Sequence, residues 1–340
     1  MSSLKKIDPK ILAAAVVGIL VVGGLAAFLL MPSQPEIQSI QYGIPIGGLS
    51  PDLMTNDVIG ATNTGVKDLG QPKWADFGLE VEYVYTKGSG QLMEFSAAGQ
   101  LKIGSVAGFP LSVAISKGAP LKAIAATFPE DPTMRLIAGA DSGIRSATDL
   151  KNGAKVGITS AGGLSDQMIR LVAKQNNLVV GKDIQLLPLG FGVHDSLVSG
   201  DVDAVMGWDP AALLLIEKGV AVSILTGNEI TPRHIFAGLY AHDDLIASDP
   251  DLVQRVYDAY FATHDWMVNN RAKAVEAVSE VRDLDPAIVD QMIGRVLAHH
   301  SNTGTIDKEL VATTSDLLLN GGLIDSPLDY SDLADTQFST

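Results

Sequence analysis

The sequence contains no cysteine. This absence excludes disulfide bonds, thiolate metal sites, cysteine nucleophiles and lipid attachment through an N-terminal cysteine. Basic residues are also scarce, because 24 Lys and Arg face 39 Asp and Glu and the formal net charge is −15 at pH 7. A basic stripe that could follow a phosphate backbone is not expected, so we predict no nucleic-acid partner.

The usual enzyme signatures are missing as well. The chain has no GxSxG elbow, no HExxH pair, no Walker A loop and no complete GxGxxG fingerprint. Gly88-Ser89-Gly90 and Gly190-Phe191-Gly192 both lack the third glycine, and His299-His300 has no companion at metal-ligand spacing. We therefore predict a binding protein that is not an enzyme and uses no metal or cofactor.

Hydrophobic residues make up 46% of the chain and charged residues 19%, which predicts a folded globular protein. Its 340 residues are enough for two lobes that share a core or for two small domains.

One uninterrupted apolar run extends from Ile11 to Met31. At 1.5 Å per helical residue it can cross a hydrocarbon core of about 30 Å. Three lysines precede the run, so the positive-inside rule leaves residues 1–10 in the cytoplasm and exports the remainder after a linker at 32–37. We predict a single-pass anchor with the binding domain outside the cell. A cleaved signal peptide is the alternative, supported by a weak small-residue pattern at Gly24 to Ala27.

Strand and helix patterns alternate through the middle of the chain, which predicts an α/β fold with parallel strands. The predicted strands are Ser39 to Ile46, Leu79 to Tyr85, Lys102 to Val106, Arg135 to Ala138, Lys155 to Thr159, Ile184 to Leu189, Val202 to Met206 and Val222 to Leu225. After Asp249 only helices are predicted, at Asp251 to Asn269, Ala272 to Arg282, Pro286 to His299 and Lys308 to Asn320. Asp249-Pro250 and Asp285-Pro286 supply helix-start chemistry for two of them.

Residues 87–110 and 189–210 share an order of features. Each has Gly-x-Gly, a short helix, a glycine turn, a strand, and a final Gly-aromatic pair leading to proline. The match indicates one βαβ unit that occurs twice, and hence two related lobes.

Loops that follow parallel strands end at helix N-termini, where free N–H groups favour an anion or an acceptor. Four loops qualify, at Gly47-Gly48, at 88–90, at 160–165 and at 190–194. Ser160 and Ser165 are either ligand contacts or simple helix caps.

Trp208-Asp209-Pro210 ends the second unit and offers an aromatic ring and a carboxylate to a flat or cationic ligand group. The alternative is a core tryptophan followed by a capping aspartate. Four basic side chains could meet an anionic ligand or could be surface and hinge residues: Arg135, His194, Arg233 and His234.

Three segments together resemble the substrate-binding proteins of nitrate, sulfonate and taurine ABC importers, the NMT1/THI5-like family. They read KIGSVAGFPLSVAISKGAPLKAIAA, SATDLKNGAKVGITSAGGLSDQMI and LVSGDVDAVMGWDPAALLLIEKG. The resemblance covers about residues 38–325.

This resemblance implies a two-lobed, type II periplasmic-binding-protein (Venus-flytrap) fold. Lobe one would comprise 38–128 and 236–325, lobe two 129–235, and 326–340 would be a C-terminal tail. A monomer would close on one small polar solute, such as a sulfonate, taurine, a nitrate-like anion or an aminopyrimidine, and deliver it to an ABC permease. The apolar N-terminal run and the missing cysteine suggest an organism with a single membrane, such as an archaeon.

Carried over by motif position, the solute contacts would be Gly48, Ser89, Gly90, Ser105, Ser160, Gly163, Ser165, His194, Trp208 and Asp209. The alternative function is a related-fold enzyme or a sensor ectodomain that acts on a similar small molecule. The thiamine-pyrimidine enzymes that share this fold use a Cys-rich segment, which this chain does not have.

Overall fold

The computed structural model describes residues 37–45, 51–131 and 133–339. The predicted cytoplasmic tail, the apolar run at 11–31 and Gly48 lie outside these residues, as does almost all of the linker. None of the helices in the described ranges is long and apolar enough to cross a membrane.

Ten strands form two sheets of five. They are β1 (Gln38–Pro45), β2 (Leu79–Thr86), β3 (Ile103–Ala107), β4 (Leu121–Phe128), β5 (Met134–Gly139), β6 (Ala154–Ile158), β7 (Ile184–Pro188), β8 (Ala204–Trp208), β9 (Ala221–Thr226) and β10 (Ala237–His242). One sheet has the order β2-β1-β3-β10-β4 and the other β7-β6-β8-β5-β9. We call the parts built on these sheets lobe one and lobe two.

Thirteen α-helices accompany the strands in the described part of the chain. They are α1 (Pro51–Gly60), α2 (Ser89–Ala97), α3 (Gly108–Ser116), α4 (Leu164–Gln175), α5 (Val193–Ser199), α6 (Ala211–Glu217), α7 (Gly227–Ile230), α8 (Asp243–Ser248), α9 (Pro250–Asn269), α10 (Arg271–Arg282), α11 (Pro286–His299), α12 (Lys308–Asn320) and α13 (Tyr330–Leu333). The Asp-Pro pairs start helices as predicted, since Asp249 accepts from the N–H of Leu252 and Asp285 from that of Ala287.

The two sheets have equivalent strand orders. β2, α2, β3 and α3 hold the same places in lobe one as β7, α5, β8 and α6 hold in lobe two. The fourth strand of each sheet, β10 or β5, follows a chain crossing from the other lobe. The duplicated unit therefore corresponds to equivalent positions in two sheets.

The predicted parallel strands occur in both sheets, as in the pairs β1 with β3 and β6 with β7, but each sheet is mixed. β10 runs antiparallel to β3 and β4, and β5 runs antiparallel to β8 and β9, because each enters its sheet from the opposite direction after a crossing. β4 and β10 were not among the predicted strands. Both are buried on both faces, so their apolar residues show no alternation that distinguishes them from a buried helix.

In lobe one, consecutive strand residues point to opposite faces of the sheet. Leu239 packs towards α9, where it meets Val256, while Tyr240 packs towards α2 and α3, where it meets Leu92. All four side chains are fully buried, and burial of an aliphatic side chain contributes roughly 1.5–3 kcal/mol. Helices therefore cover both faces of the sheet.

Lobe two repeats this arrangement. Leu136 lies in the core with Met168 of α4, and the next residue, Ile137, lies in a separate cluster with Val193 of α5. With both faces covered, the functional loops are left at the ends of the strands.

The segment predicted to be a C-terminal tail is packed against lobe one. Ala334 forms a parallel bridge with Ala123, and the N–H of Asp335 donates to the Ala123 carbonyl at 3.0 Å. Leu333 is fully buried and Phe338 nearly so. The segment thus covers the outer edge of β4, which would otherwise expose unpaired backbone groups.

Candidate functional site

In lobe one, predicted solute contacts lie at the start of α2 and in β3. Ser89 and Gly90 are the first residues of α2, directly after the end of β2. Ser105 lies within β3 and is 1% exposed. Its Oγ has no hydrogen-bond partner among the residues that the structure describes. A buried hydroxyl without a partner costs about 1–3 kcal/mol unless water or a ligand supplies one.

In lobe two, the loop between β6 and α4 holds two serines with different roles. Ser165 Oγ accepts from the Thr159 N–H at 3.0 Å and lies 2.6 Å from the Thr159 hydroxyl, so it closes its own loop. Ser160 Oγ is buried without a partner in the described part of the protein. Gly163 precedes α4 and approaches this hydroxyl closely, since a Cβ on Gly163 would lie 2.5 Å from it.

These loops of the two lobes touch. A Cβ added to Gly88 would lie 2.6 Å from Ser160 Oγ, and one added to Gly90 would lie 2.6 Å from the carbonyl oxygen of Ala161. Neither glycine has room for a side chain in this arrangement. The structure therefore shows the lobes closed upon each other at these loops.

His194 and Trp208 are the two predicted contacts with aromatic rings. The rings meet edge to face with centroids 5.7 Å apart, and Trp208 is partly buried against a core cluster to which both lobes contribute. His194 Nε2 is aimed at β8, where a Cβ on Gly207 would lie 2.3 Å away, and it has no partner among the described residues. Burial lowers the pKa of His194, and the negative charge of Asp195 offsets this only in part. The ring is therefore neutral at pH 7.

Asp209 differs from the other predicted contacts because two arginines bind both oxygens of its carboxylate. Its side chain is 0% exposed and accepts from Arg135 Nε at 2.8 Å and from Arg295 Nη1 at 2.5 Å. Burial raises the pKa of Asp209, and the two guanidinium groups act in the opposite direction. Both oxygens of this carboxylate are therefore engaged within the protein.

The structure brings together the loops that contain Ser89, Gly90, Ser160 and Gly163. Ser165 and Asp209 have partners within the chain, and Gly48 lies outside the described residues. The role of these residues in solute binding stays a prediction.

Arg295 was not predicted as a functional residue. It lies on α11, 86 positions after Asp209, in a segment for which only a helix was predicted. No local motif marks it, because a single arginine on an amphipathic helix is ordinary. Gln167 was also missed, although its Oε1 is buried and unpartnered in the described structure.

The chemistry offered here is hydrogen bonding and aromatic contact. Serine hydroxyls, an imidazole and an indole can bind a small polar molecule, with arginines nearby. Within residues 37–45, 51–131 and 133–339, no group of three or more His, Cys, Asp or Glu could hold a metal ion.

Comparison with known proteins gives one family and one fold. The family model described as NMT1/THI5 like matches residues 74–274. No curated protein sequence matches the chain significantly.

Several solved structures share the architecture. The alkanesulfonate-binding protein SsuA from Xanthomonas axonopodis pv. citri, bound to MOPS, has a TM-score of 0.69 and 19% identity over 88% of this chain and 98% of its own. The periplasmic aliphatic sulphonate binding protein SsuA from Escherichia coli has a TM-score of 0.65 and 18% identity, covering 88% and 92%. The desulfurization enzyme DszB has a TM-score of 0.57 and 20% identity, covering 88% and 97%.

At these identities the structural neighbours establish the fold alone. They confirm the predicted two-sheet α/β fold of the periplasmic-binding-protein type. The family match spans more than half of the chain and confirms the predicted relationship. The chain therefore belongs to the NMT1/THI5-like family.

Proposed function

We propose that this protein is the extracytoplasmic solute-binding component of an ABC importer. It captures one small polar solute between its lobes and delivers it to a membrane permease. The observation that carries this proposal is the contact between the loops at Gly88 and Ser160, beside polar groups that lack partners within the described structure. A solute enclosed there would supply the missing hydrogen bonds.

Among the predicted solutes, a sulfonate is favoured over an aminopyrimidine. Asp209 is already paired with two arginines, so its carboxylate is not free to bind an amine. The three groups together carry one excess positive charge, which favours an anion. The SsuA proteins that share the fold bind alkanesulfonates or aliphatic sulphonates.

Thermal unfolding with MOPS, taurine, nitrate and an aminopyrimidine tests this proposal. A bound solute at 100 times its Kd stabilises the folded state by about 2.7 kcal/mol, so a sulfonate should raise Tm clearly. Calorimetric titration of Ser160→Ala should show weaker binding. This variant lacks the buried hydroxyl that is expected to form a hydrogen bond with the solute. Ser146→Ala, in a surface loop, serves as the control. Binding of none of the four compounds would contradict the proposal.

A related-fold enzyme remains the second candidate, since DszB shares the architecture. The chain has no cysteine, so an enzyme of this fold could not use a cysteine nucleophile here. Incubation with each compound that binds, followed by mass spectrometry, distinguishes the two functions. The importer proposal expects the compound to be recovered unchanged, and any converted product would favour the enzyme.

We also propose that residues 11–31 anchor the protein in the membrane with the lobes outside. The run itself and the lysines before it support this proposal. Wild type should stay in membranes washed with carbonate, and protease added to intact cells should remove the lobes. Leu20→Arg combined with Val22→Arg should weaken insertion, at about 2.5–3.5 kcal/mol per arginine. Full-length protein in the cytosol would contradict anchoring, and a shortened soluble form outside the cell would indicate a cleaved signal.

A further inference from the structure

Asp209 is held by two arginines that belong to different parts of the fold. Arg135 lies on β5, whose register places it opposite Gly207 of β8. This pair therefore stays together within the sheet of lobe two whatever the lobes do. The Arg135 guanidinium keeps the buried carboxylate compensated in any relative position of the lobes.

Arg295 approaches from lobe one. It lies on α11, which packs against α10 and α1, and α1 in turn packs against α9, the helix that covers one face of the lobe-one sheet. The bond from Arg295 to Asp209 thus connects the two lobes.

The contact also lies beside the first chain crossing. The Asp209 N–H donates to the Thr133 carbonyl, and two residues that follow Arg295 on the chain bind the same crossing. His299 pairs with Glu130, and the Ser301 N–H donates to the Thr127 carbonyl at 2.8 Å. The Arg295 to Asp209 bond therefore joins the lobes where their relative angle is set.

We infer that Asp209 is a positioning residue that holds the lobes closed through Arg295, and that it acts in this way in place of contacting the solute. This inference deepens the proposed function and rests on it for the role of closure. When the lobes separate, Arg295 moves away from Asp209 and becomes solvated, while Arg135 stays bound to it. Opening therefore does not leave the buried carboxylate without a partner. The lobes can then exchange between two states that are both electrostatically satisfied.

Arg295→Gln is the informative variant because it removes the connection between lobes and leaves the Arg135 to Asp209 pair in place. Arg271→Gln is the matched control. Arg271 pairs with Asp290 at 2.7 Å, at the start of α10 and on α11, so both partners belong to lobe one. Each variant removes the ion pair of one partly exposed arginine in the same helical region, and only Arg295→Gln disconnects the lobes.

The first measurement needs no solute. The chain has no cysteine, so Glu94→Cys on α2 and Lys174→Cys on α4, both exposed, give two unique labelling positions on opposite lobes. Spin-label distances between them should lengthen in Arg295→Gln and stay at the wild-type value in Arg271→Gln. Unchanged distances in Arg295→Gln would overturn the inference.

The second measurement uses MOPS, the compound bound by the Xanthomonas relative. Loss of a contact made only on closure raises the dissociation rate, here by about tenfold, with the association rate changed less than about twofold. Asp209→Asn separates positioning from direct contact. Longer distances with faster dissociation support positioning, whereas weaker binding at wild-type distances would show a direct solute contact and overturn the inference. If wild type binds no sulfonate but Arg295→Gln still opens the lobes, the proposed function fails and the positioning role stands.

Discussion

Gly90 of lobe one and Ala161 of lobe two approach so closely that a Cβ atom on Gly90 would lie 2.6 Å from the Ala161 carbonyl oxygen. The obstacle is backbone, which cannot rotate away as a flexible side chain can. The closed arrangement therefore requires glycine at position 90, although glycine is a poor residue within a helix such as α2.

Gly90→Ala should prevent full closure without weakening the fold. Alanine is favoured over glycine in helices by up to about 1 kcal/mol, so Tm should not fall. Sulfonate affinity should fall by at least about tenfold, because closure then forces Cβ against Ala161. Gly139→Ala is the control, since a Cβ there would meet no described atom nearer than 3.9 Å, and Gly139 lies at the end of β5 that is remote from Trp208. Wild-type affinity in Gly90→Ala would show that these loops do not close on the solute.

Trp208→Ala should weaken sulfonate binding by up to about thirtyfold while the protein stays folded. An aromatic face contributes roughly 0.5–2 kcal/mol to such contacts, and each 1.4 kcal/mol changes Kd tenfold. Trp266→Ala, another partly buried tryptophan on the same core but on α9, is the comparison. Both Kd and the unfolding midpoint are measured. Normal affinity beside a stability loss of about 3–5 kcal/mol would make Trp208 a core residue only.

Arg282→Gln should destabilise the fold strongly at pH 7. Arg282 holds Asp57 through two bonds of 2.7 Å, and the Asp57 side chain is 3% exposed. Removal of one partner from a buried pair costs about 3–5 kcal/mol. Burial already raises the pKa of Asp57 to about 6, so the remaining carboxyl takes up a proton in acid and the loss should be smaller at pH 5. Urea unfolding at both pH values measures the difference.

The control for this pair is Lys67→Gln. Lys67 and Glu276 form an ion pair on the surface, with side chains 68% and 38% exposed. Solvent screens such a pair, so the unfolding midpoint should match that of wild type. Equal losses in both variants would contradict a special role for the buried pair.

His234 should make the protein less stable in acid. Its side chain is fully buried, Nδ1 lies 2.8 Å from the Pro232 carbonyl, and burial lowers the pKa to about 4 from an ordinary value near 6.5. Between these values the unfolded chain takes up a proton that the folded chain does not. Stability from this group is full above pH 6.5 and falls by about 3 kcal/mol towards pH 4.

His234→Gln isolates this effect. The difference in unfolding free energy between variant and wild type cancels the contribution of other groups, such as Asp131, whose pKa burial raises to about 7. The variant should lose less stability than wild type between pH 6.5 and pH 4. Parallel pH profiles would contradict the assignment.

The loops proposed to bind the solute could be recognised in the sequence because their signals are local. The Gly-x-Gly loops, the serines after β6 and the Trp-Asp-Pro segment all follow strands, and the strand order places these loops at the sheet ends. The pairs Asp249-Pro250 and Asp285-Pro286 marked two helix starts correctly, because capping involves neighbouring residues only.

What could not be predicted depends on residues far apart in the chain. β4 and β10 show neither alternation nor helical period, since both of their faces are buried. The direction of β5 and β10 follows from chain crossings that no local pattern records.

The sequence by itself determined the chemistry available to this protein: no thiol, few basic residues, polar loops after strands, and membership of the NMT1/THI5-like family. Only the tertiary structure decided which partner the Asp209 carboxylate binds. Asp209 has the same residue type and spacing whether it binds a solute or an arginine. Packing of α11 on lobe one brings Arg295 to it, and a buried carboxylate binds the cation that the fold places within reach.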